Sequence, residues 1–233
     1  MKNCNGSEHQ TTPRILLIAC ATALAVAFTI ALPQPAYSDR VKPPPVPSNI
    51  QVPAGSKAFL EGHAVGTQDY ICVPCPNPTT SMCPNASGFA WILFTPQATL
   101  FTDNDKQVIT HFFSPNPFEN NTNAGIIADG TIRATWQYRD TSIVWAKLHT
   151  TDPDGKKGAV TVDPTAIAWL LLGGVGSQNG PTGGDKLTGT TFIQRLNTTG
   201  GLAPKTGCSS LTDVGNQAFV PYTADYFFYK KAD

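Results

Sequence analysis

Charge is scarce in this chain. Asp, Glu, Lys and Arg make up 14% of 233 residues, against roughly 25% in an average soluble domain. The 41% hydrophobic content nonetheless excludes a disordered chain, and the scatter of the apolar residues excludes a multi-span membrane protein. Charge of one sign is missing as well. Sixteen basic and sixteen acidic side chains cancel, so no field is available to hold a nucleic acid or another polyanion. A sustained 3.6-residue apolar period is absent too, which excludes helical bundles and strand-helix-strand folds.

The common catalytic fingerprints are also missing. Gly174, Val175 and Gly176 with Gly180 imitate a dinucleotide loop, but the third glycine comes one residue late and no helix follows to face a pyrophosphate. The stretch from Gly180 to Lys186 lacks the Gly-Lys-Ser/Thr that holds phosphate and magnesium. Both read as loops. There is no Gly-x-Ser-x-Gly elbow, and Ser177 has no local sign of activation. Asp103 with Asp105, and Asp152 with Asp154, lack the further ligands of a calcium loop and read as turns.

What is present begins with a leader. Lys2 and Arg14 precede an apolar run from Ile15 to Leu32, Pro33 and Pro35 stop any helix, and Ala36 and Ser38 set small residues before a cleavage position at Asp39. Residues 1–38 are therefore expected to be a signal peptide and the protein to be exported to a periplasmic, cell-envelope or extracellular compartment. Two other readings remain open: an uncleaved membrane anchor, and lipidation at Cys20, which Leu17, Ile18 and Ala19 precede. Residues 39–53 read as a proline-rich, polyproline-like linker. Residues 54–233 read as one β-rich domain.

In an oxidising compartment Cys72, Cys75, Cys83 and Cys208 pair, with three connectivities open to four cysteines. Cys75 and Cys83 bracket a turn-rich loop, which leaves Cys72 and Cys208 to clamp the two halves of the chain. A redox Cys72-Val-Pro-Cys75 motif or a zinc site competes with this. The first needs a thioredoxin-like setting and the second another closely spaced pair, and neither is present.

Short β-branched and aromatic runs alternate with turn signals. Strands are expected near 57–65, 68–73, 90–95, 99–102, 107–113, 132–138, 142–149, 167–172, 190–197 and 219–229. This spacing means a single antiparallel β-sandwich or barrel-like domain, stapled by disulfides. The last run, apolar on both faces, should be a central strand. Trp91, Trp136, Trp145 and Trp169 read as core fillers; of the four, only Trp136, beside Gln137 and Arg139, has the polar neighbours that an outward, carbohydrate-binding ring needs.

Few residues can do chemistry. Glu61 and His63, two apart on one strand, share a face, so the carboxylate can orient the ring or join it on a metal. If His63, His111 and His149 converged, they would make a zinc or copper site. The bland alternative is three unrelated, hydrogen-bonded histidines. Asn85, Asn120 and Asn197 begin glycosylation sequons.

Several segments resemble, in order, the exported bacterial and fungal proteins classed as domain of unknown function 3455. They are Gly66-Thr67-Gln68-Asp69-Tyr70-Ile71-Cys72; Trp91 with Pro96-Gln97-Ala98-Thr99-Leu100; His111; Ser142-Ile143-Val144-Trp145; Ala168-Trp169-Leu170-Leu171; Phe192 through Gly201; Gly207-Cys208; and Val220 through Tyr226. The resemblance implies export, a single domain and no established activity. A malate dehydrogenase label carried by some fungal members has no support here, since the nicotinamide fingerprint is missing. The Cys75 to Cys83 insertion departs from the shorter family form, and the resemblance thereby favours Cys72 with Cys208 as the family's own pair.

The expected function is a non-catalytic exported module that binds a small molecule, glycan or protein in a cleft. It would need no cofactor or nucleic acid and would meet a membrane only through an uncleaved leader. The alternative is a metal-dependent secreted hydrolase or oxidoreductase using His63, His111 or His149 with Glu61.

Overall fold

The computed structural model describes residues 41–75, 88–119, 131–150 and 158–232. The expected leader with Cys20 lies outside the described residues, as do Cys83, the Asp152/Asp154 turn and the sequons at Asn85 and Asn120. Among the described residues no helix is long and apolar enough to cross a membrane.

Among the described residues the alternating runs form nine strands: β1 (Ser56–Pro74), β2 (Phe89–Phe101), β3 (Gln107–Pro115), β4 (Ile132–Tyr138), β5 (Ile143–Leu148), β6 (Ala159–Val160), β7 (Trp169–Gln178), β8 (Phe192–Gly200) and β9 (Gln217–Lys231). Two pairs of expected strands are fused into β1 and β2. Pro96 does not break β2 because it lies beyond the β2–β3 ladder, which runs only from Ala98 to Phe101, so its missing N–H interrupts no bond on that side. Of the glycines read as a dinucleotide-like loop, Gly180 lies in a loop, but Gly174 and Gly176 belong to β7, where they pair with Ala146 and Trp145. The absence of side chains admits a neighbour: a Cβ on Gly176 would stand 2.6 Å from Phe118 Cδ2.

The strand order is β5-β4-β3-β2-β1-β9-β8-β7-β6, and a further β5–β7 pairing closes eight of the strands into a barrel. β6 extends the β7 edge beyond the end of β5. Alternation sends Ala64, Leu100, Ile109, Val144, Ile193 and Phe228 into one buried lumenal cluster. Leu187 closes one end of it. Its loop is pinned by Asp140, whose Oδ1 accepts from Ser142 N and whose Oδ2 accepts from Lys186 N at 2.9 and 3.0 Å. Ile167 closes the other end, donating from its N to Gly200 O at 2.9 Å.

The opposite faces of β7, β8 and β9 carry a second layer, Leu171, Leu196, Phe227 and Tyr229, packed with Ile50 and flanked by Val41, Val46 and Val52. The proline-rich segment read as a spacer therefore docks on the barrel wall. Gln194 Nε2 donates to Ile50 O at 2.7 Å and Asn49 Nδ2 to Ala159 O at 3.0 Å, while Tyr229 Oη donates to Gln194 Oε1. This explains why β9 is apolar on both sides: one faces the lumen and the other the docked segment. It is a central strand, between β1 and β8.

A disulfide joins Cys72 to Cys208 across 136 residues, with Cα atoms 5.5 Å apart. Cross-linking so long a loop restricts the unfolded chain by about 4 to 5 kcal/mol in the entropy model. Cys75 is fully buried and also disulfide-bonded.

Candidate functional site

The strand alternation of β1 places Glu61 and His63 together on the outer surface. Register sets Asp225 of β9 opposite His63, and the β2–β3 turn brings Asp103 to its other side. His63 Nδ1 meets Asp225 Oδ1 and Nε2 meets Asp103 Oδ1, each at 2.7 Å. Two carboxylates on two ring nitrogens favour the doubly protonated ring. The bond to Asp225 is the main cause holding the imidazole above its usual pKa, with Asp103 adding to it against partial desolvation. Burial likewise lifts the Glu61 carboxyl above its usual range, opposed by the nearby His63. Asp225 Oδ2 accepts from Asn197 Nδ2 at 2.8 Å. Ligand atoms of Glu61, His63 and Asp225 lie within 4.8 Å of one another, a spacing able to hold a metal ion.

The other two histidines stand elsewhere. His111, on β3, faces the lumen and is 3% exposed. Its ring stacks on Trp136 with centroids 4.2 Å apart, and Nδ1 donates to Thr135 O at 2.8 Å. Desolvation pulls its pKa down to about 3 despite that bond, so the ring is neutral, with Nε2 as an acceptor. His149 follows β5 and sets its ring edge-on to Phe192. Neither joins the Glu61 group among the described residues.

A second constellation lies inside the barrel. Arg195 is two residues from Ile193 on β8 and pairs with Tyr226 and Leu170, all on the lumenal face. It is a guanidinium within the wall of an apolar core. Its Nε and Nη2 both donate to Ala168 O, at 3.1 and 2.8 Å. Its charge is felt by His111, Tyr70 and Tyr222. Desolvation raises both phenols above their usual pKa. Tyr222 and Tyr226 bring their hydroxyls to 3.4 Å, and Tyr226 packs edge-on to His111 and Trp136.

Gln68 lies beside Tyr222 under Gly201, where a Cβ would stand 2.9 Å from Tyr222 Cβ and 3.1 Å from Gln68 Cγ. Gly201 has φ +78, so this roof needs glycine for both backbone and space. Tyr70 Oη donates to Gly201 O at 2.7 Å. Among the described residues the buried Trp136 Nε1 has no hydrogen-bond partner, nor do the carboxylate of Asp69 and Thr190 Oγ1, and Gln68 Nε2 has only the Tyr222 hydroxyl beside it.

Residues 53–230 match the family model described as "Protein of unknown function (DUF3455)". The chain belongs to this family. No curated protein and no solved structure is matched.

In this DUF3455 chain the sequence reading found the outer cluster through the spacing of Glu61 and His63, but not Asp103 or Asp225, which arrive by register and by a turn. Of the lumenal group it named His111 and Trp136 singly and missed Gln68, Arg195, Tyr222 and Tyr226 as their company. Trp136, read with the other tryptophans as a core filler, points inward and is 1% exposed, while its neighbour Gln137 takes the other face of the alternation. The available signal was Gln194-Arg195, a polar pair within an apolar strand of a charge-poor chain.

Proposed function

We propose that the barrel is a non-catalytic module that binds a small molecule in its lumen, at the end lined by Gln68, His111, Trp136, Arg195, Tyr222 and Tyr226. The observation that carries this is the buried Trp136 Nε1, a donor with no hydrogen-bond partner among the described residues, together with Gln68, whose side-chain amide has only the Tyr222 hydroxyl beside it. Leaving such a donor unsatisfied costs about 1 to 3 kcal/mol, and a ligand acceptor removes that cost. Eight strands enclose an interior that side chains fill or that takes one small ligand. A flat aromatic platform for a glycan is not what the tryptophans form. Trp136 is inside, Trp145 lies against Phe118, Trp169 joins the outer layer and Trp91 bonds Thr206 O.

Native mass spectrometry of protein isolated from its source, with fluorescence titration of Trp136→Phe and Gln68→Leu, tests the reading. Co-purifying small-molecule mass that is diminished in both variants is expected. Ligand-free protein, or mass retained equally in both variants, rejects it.

A second reading has its own observation, the convergence of Glu61, His63 and Asp225. A zinc or copper ion there would take His63 Nδ1 and two carboxylates, with Asp103 holding Nε2–H as the orienting partner that metal-bound histidines commonly have. Water in a remaining position would supply metal-assisted hydrolysis. Calorimetric titration with zinc and copper, repeated on His63→Ala, decides this. One equivalent lost with the imidazole supports the site, and absence of binding leaves a purely ion-paired cluster.

A further inference from the structure

We infer that the lumenal ligand is an apolar molecule bearing a carboxylate or comparable single anionic group, with Arg195 as its counter-ion. This rests on the lumenal binding reading and specifies what the chamber selects.

On the lumenal side the unused hydrogen-bonding capacity is mostly of donors; the buried, unpartnered carboxylate of Asp69 follows Gln68 directly and so alternates onto the other face of β1, and Thr190 Oγ1 is the remaining unpartnered atom among the described residues. Trp136 Nε1 can only donate and has no partner among the described residues, and Gln68 Nε2 is a donor with only the Tyr222 hydroxyl beside it. Arg195 spends Nε and Nη2 on a single oxygen, and the rest of its fork consists of donors too. On the acceptor side the neutral His111 offers Nε2. Such a set is matched by a group rich in lone pairs.

Charge points the same way. Among the described residues no carboxylate lies within ion-pair distance of Arg195, and the lumenal cluster around it is apolar. The acidic side chains of the surrounding strands face outward: Asp225 is spent on His63, with Glu61 near it, Asp69 alternates away from Gln68 on β1, and Glu119 pairs with Arg133 at 2.6 Å. Arg195 is part-buried beside this cluster, and a cation there without a carboxylate lacks the partner that ordinarily offsets its loss of water. The two bonds to Ala168 O fix the plane of the guanidinium beforehand, so little side-chain freedom is lost when a planar anion docks. Leu100, Ile109, Val144, Leu172, Ile193 and Phe228 supply the wall for an apolar body.

The test is calorimetric titration of the intact protein with 1-naphthoate and with its neutral methyl ester, on wild type, Arg195→Met and Arg195→Lys. Wild type should prefer the acid by about tenfold or more, the worth of a charge-assisted hydrogen bond. Arg195→Met should lose that preference while still binding the ester, and Arg195→Lys should keep part of it. Near-ultraviolet circular dichroism identifies a variant that has not folded, in which case the lysine variant carries the comparison. Equal affinity of wild type for acid and ester overturns the anionic inference and leaves lumenal binding standing. A preference unchanged in Arg195→Met overturns the role of Arg195. Binding of neither compound overturns the inference together with the reading beneath it.

Discussion

His63 and His111 respond to acid in opposite senses because one gained partners on folding and the other lost water. The His63 ring is held above its usual 6.5 by Asp225 and Asp103. Its contribution to stability is therefore fully present below 6.5 and disappears as pH rises through the elevated folded value. Thermal melts of wild type and His63→Gln between about pH 5 and about pH 9 should show a gap in midpoint that is widest on the acid side and narrows above it; a constant gap would mean that the ion pairs contribute nothing. His111 is pulled down to about 3 by burial, so its neutral form stabilises the fold above 6.5 and that stability drains away as pH falls toward 3. His111→Phe keeps a ring against Trp136 and removes the titration. Its midpoint should fall less steeply than wild type over that acid range, and a parallel decline would refute the assignment. Neither behaviour was legible from a histidine count. What the sequence did reveal was the shared face of Glu61 and His63, since period two is local, whereas the carboxylates of Asp103 and Asp225 come from 40 and 162 residues away.

Among the elements, β4 and β9 were the most readable, because their runs are uninterrupted and β9 is apolar on both faces. β7 was the least readable. Its glycines look like loop chemistry, yet they serve a strand that must let Phe118 and Asn116 lie flat against it, and no local pattern distinguishes the two uses. The short β6 carries too few residues to show any alternation. The docked N-terminal segment was misread for a related reason, since prolines favour extended backbone whether or not it packs. Its anchor is Ile50, fully buried. Ile50→Ala should cost about 2 to 5 kcal/mol in urea denaturation, as for other large buried aliphatic truncations; a change within error would show that the segment rests loosely on the wall. Gly201 bears a different burden. Replacing it with alanine forces a side chain into a left-handed conformation against Tyr222, at about 1 to 3 kcal/mol, and the resulting drop should also perturb the near-ultraviolet signal of Tyr70 and Tyr222.

For the whole molecule, the antiparallel, disulfide-stapled character was legible from turn spacing and cysteine placement. Closure was not, because the β5–β7 pairing that turns a sheet into a barrel joins segments with no mutual signature in sequence. The Cys72–Cys208 bridge spans most of the described chain, so its removal should be felt globally. Cys72→Ser with Cys208→Ser should lower unfolding free energy by about 4 to 5 kcal/mol, read as a shift of the denaturation midpoint with its slope nearly preserved. A stability equal to wild type would place the clamp's importance elsewhere.

β1 has β9 as its neighbour, and the two align over fifteen positions from Ser56 to Ile71. The earliest of the strands to emerge from the ribosome thus waits for the latest before its flank is satisfied. Such far-apart pairing is slow to form, so a chain halted short of β9 holds an open edge with which to recruit other chains. Assembly of this barrel accordingly waits for β9 to be made, and the interval before it is when the unpaired edge of β1 is most open to other chains.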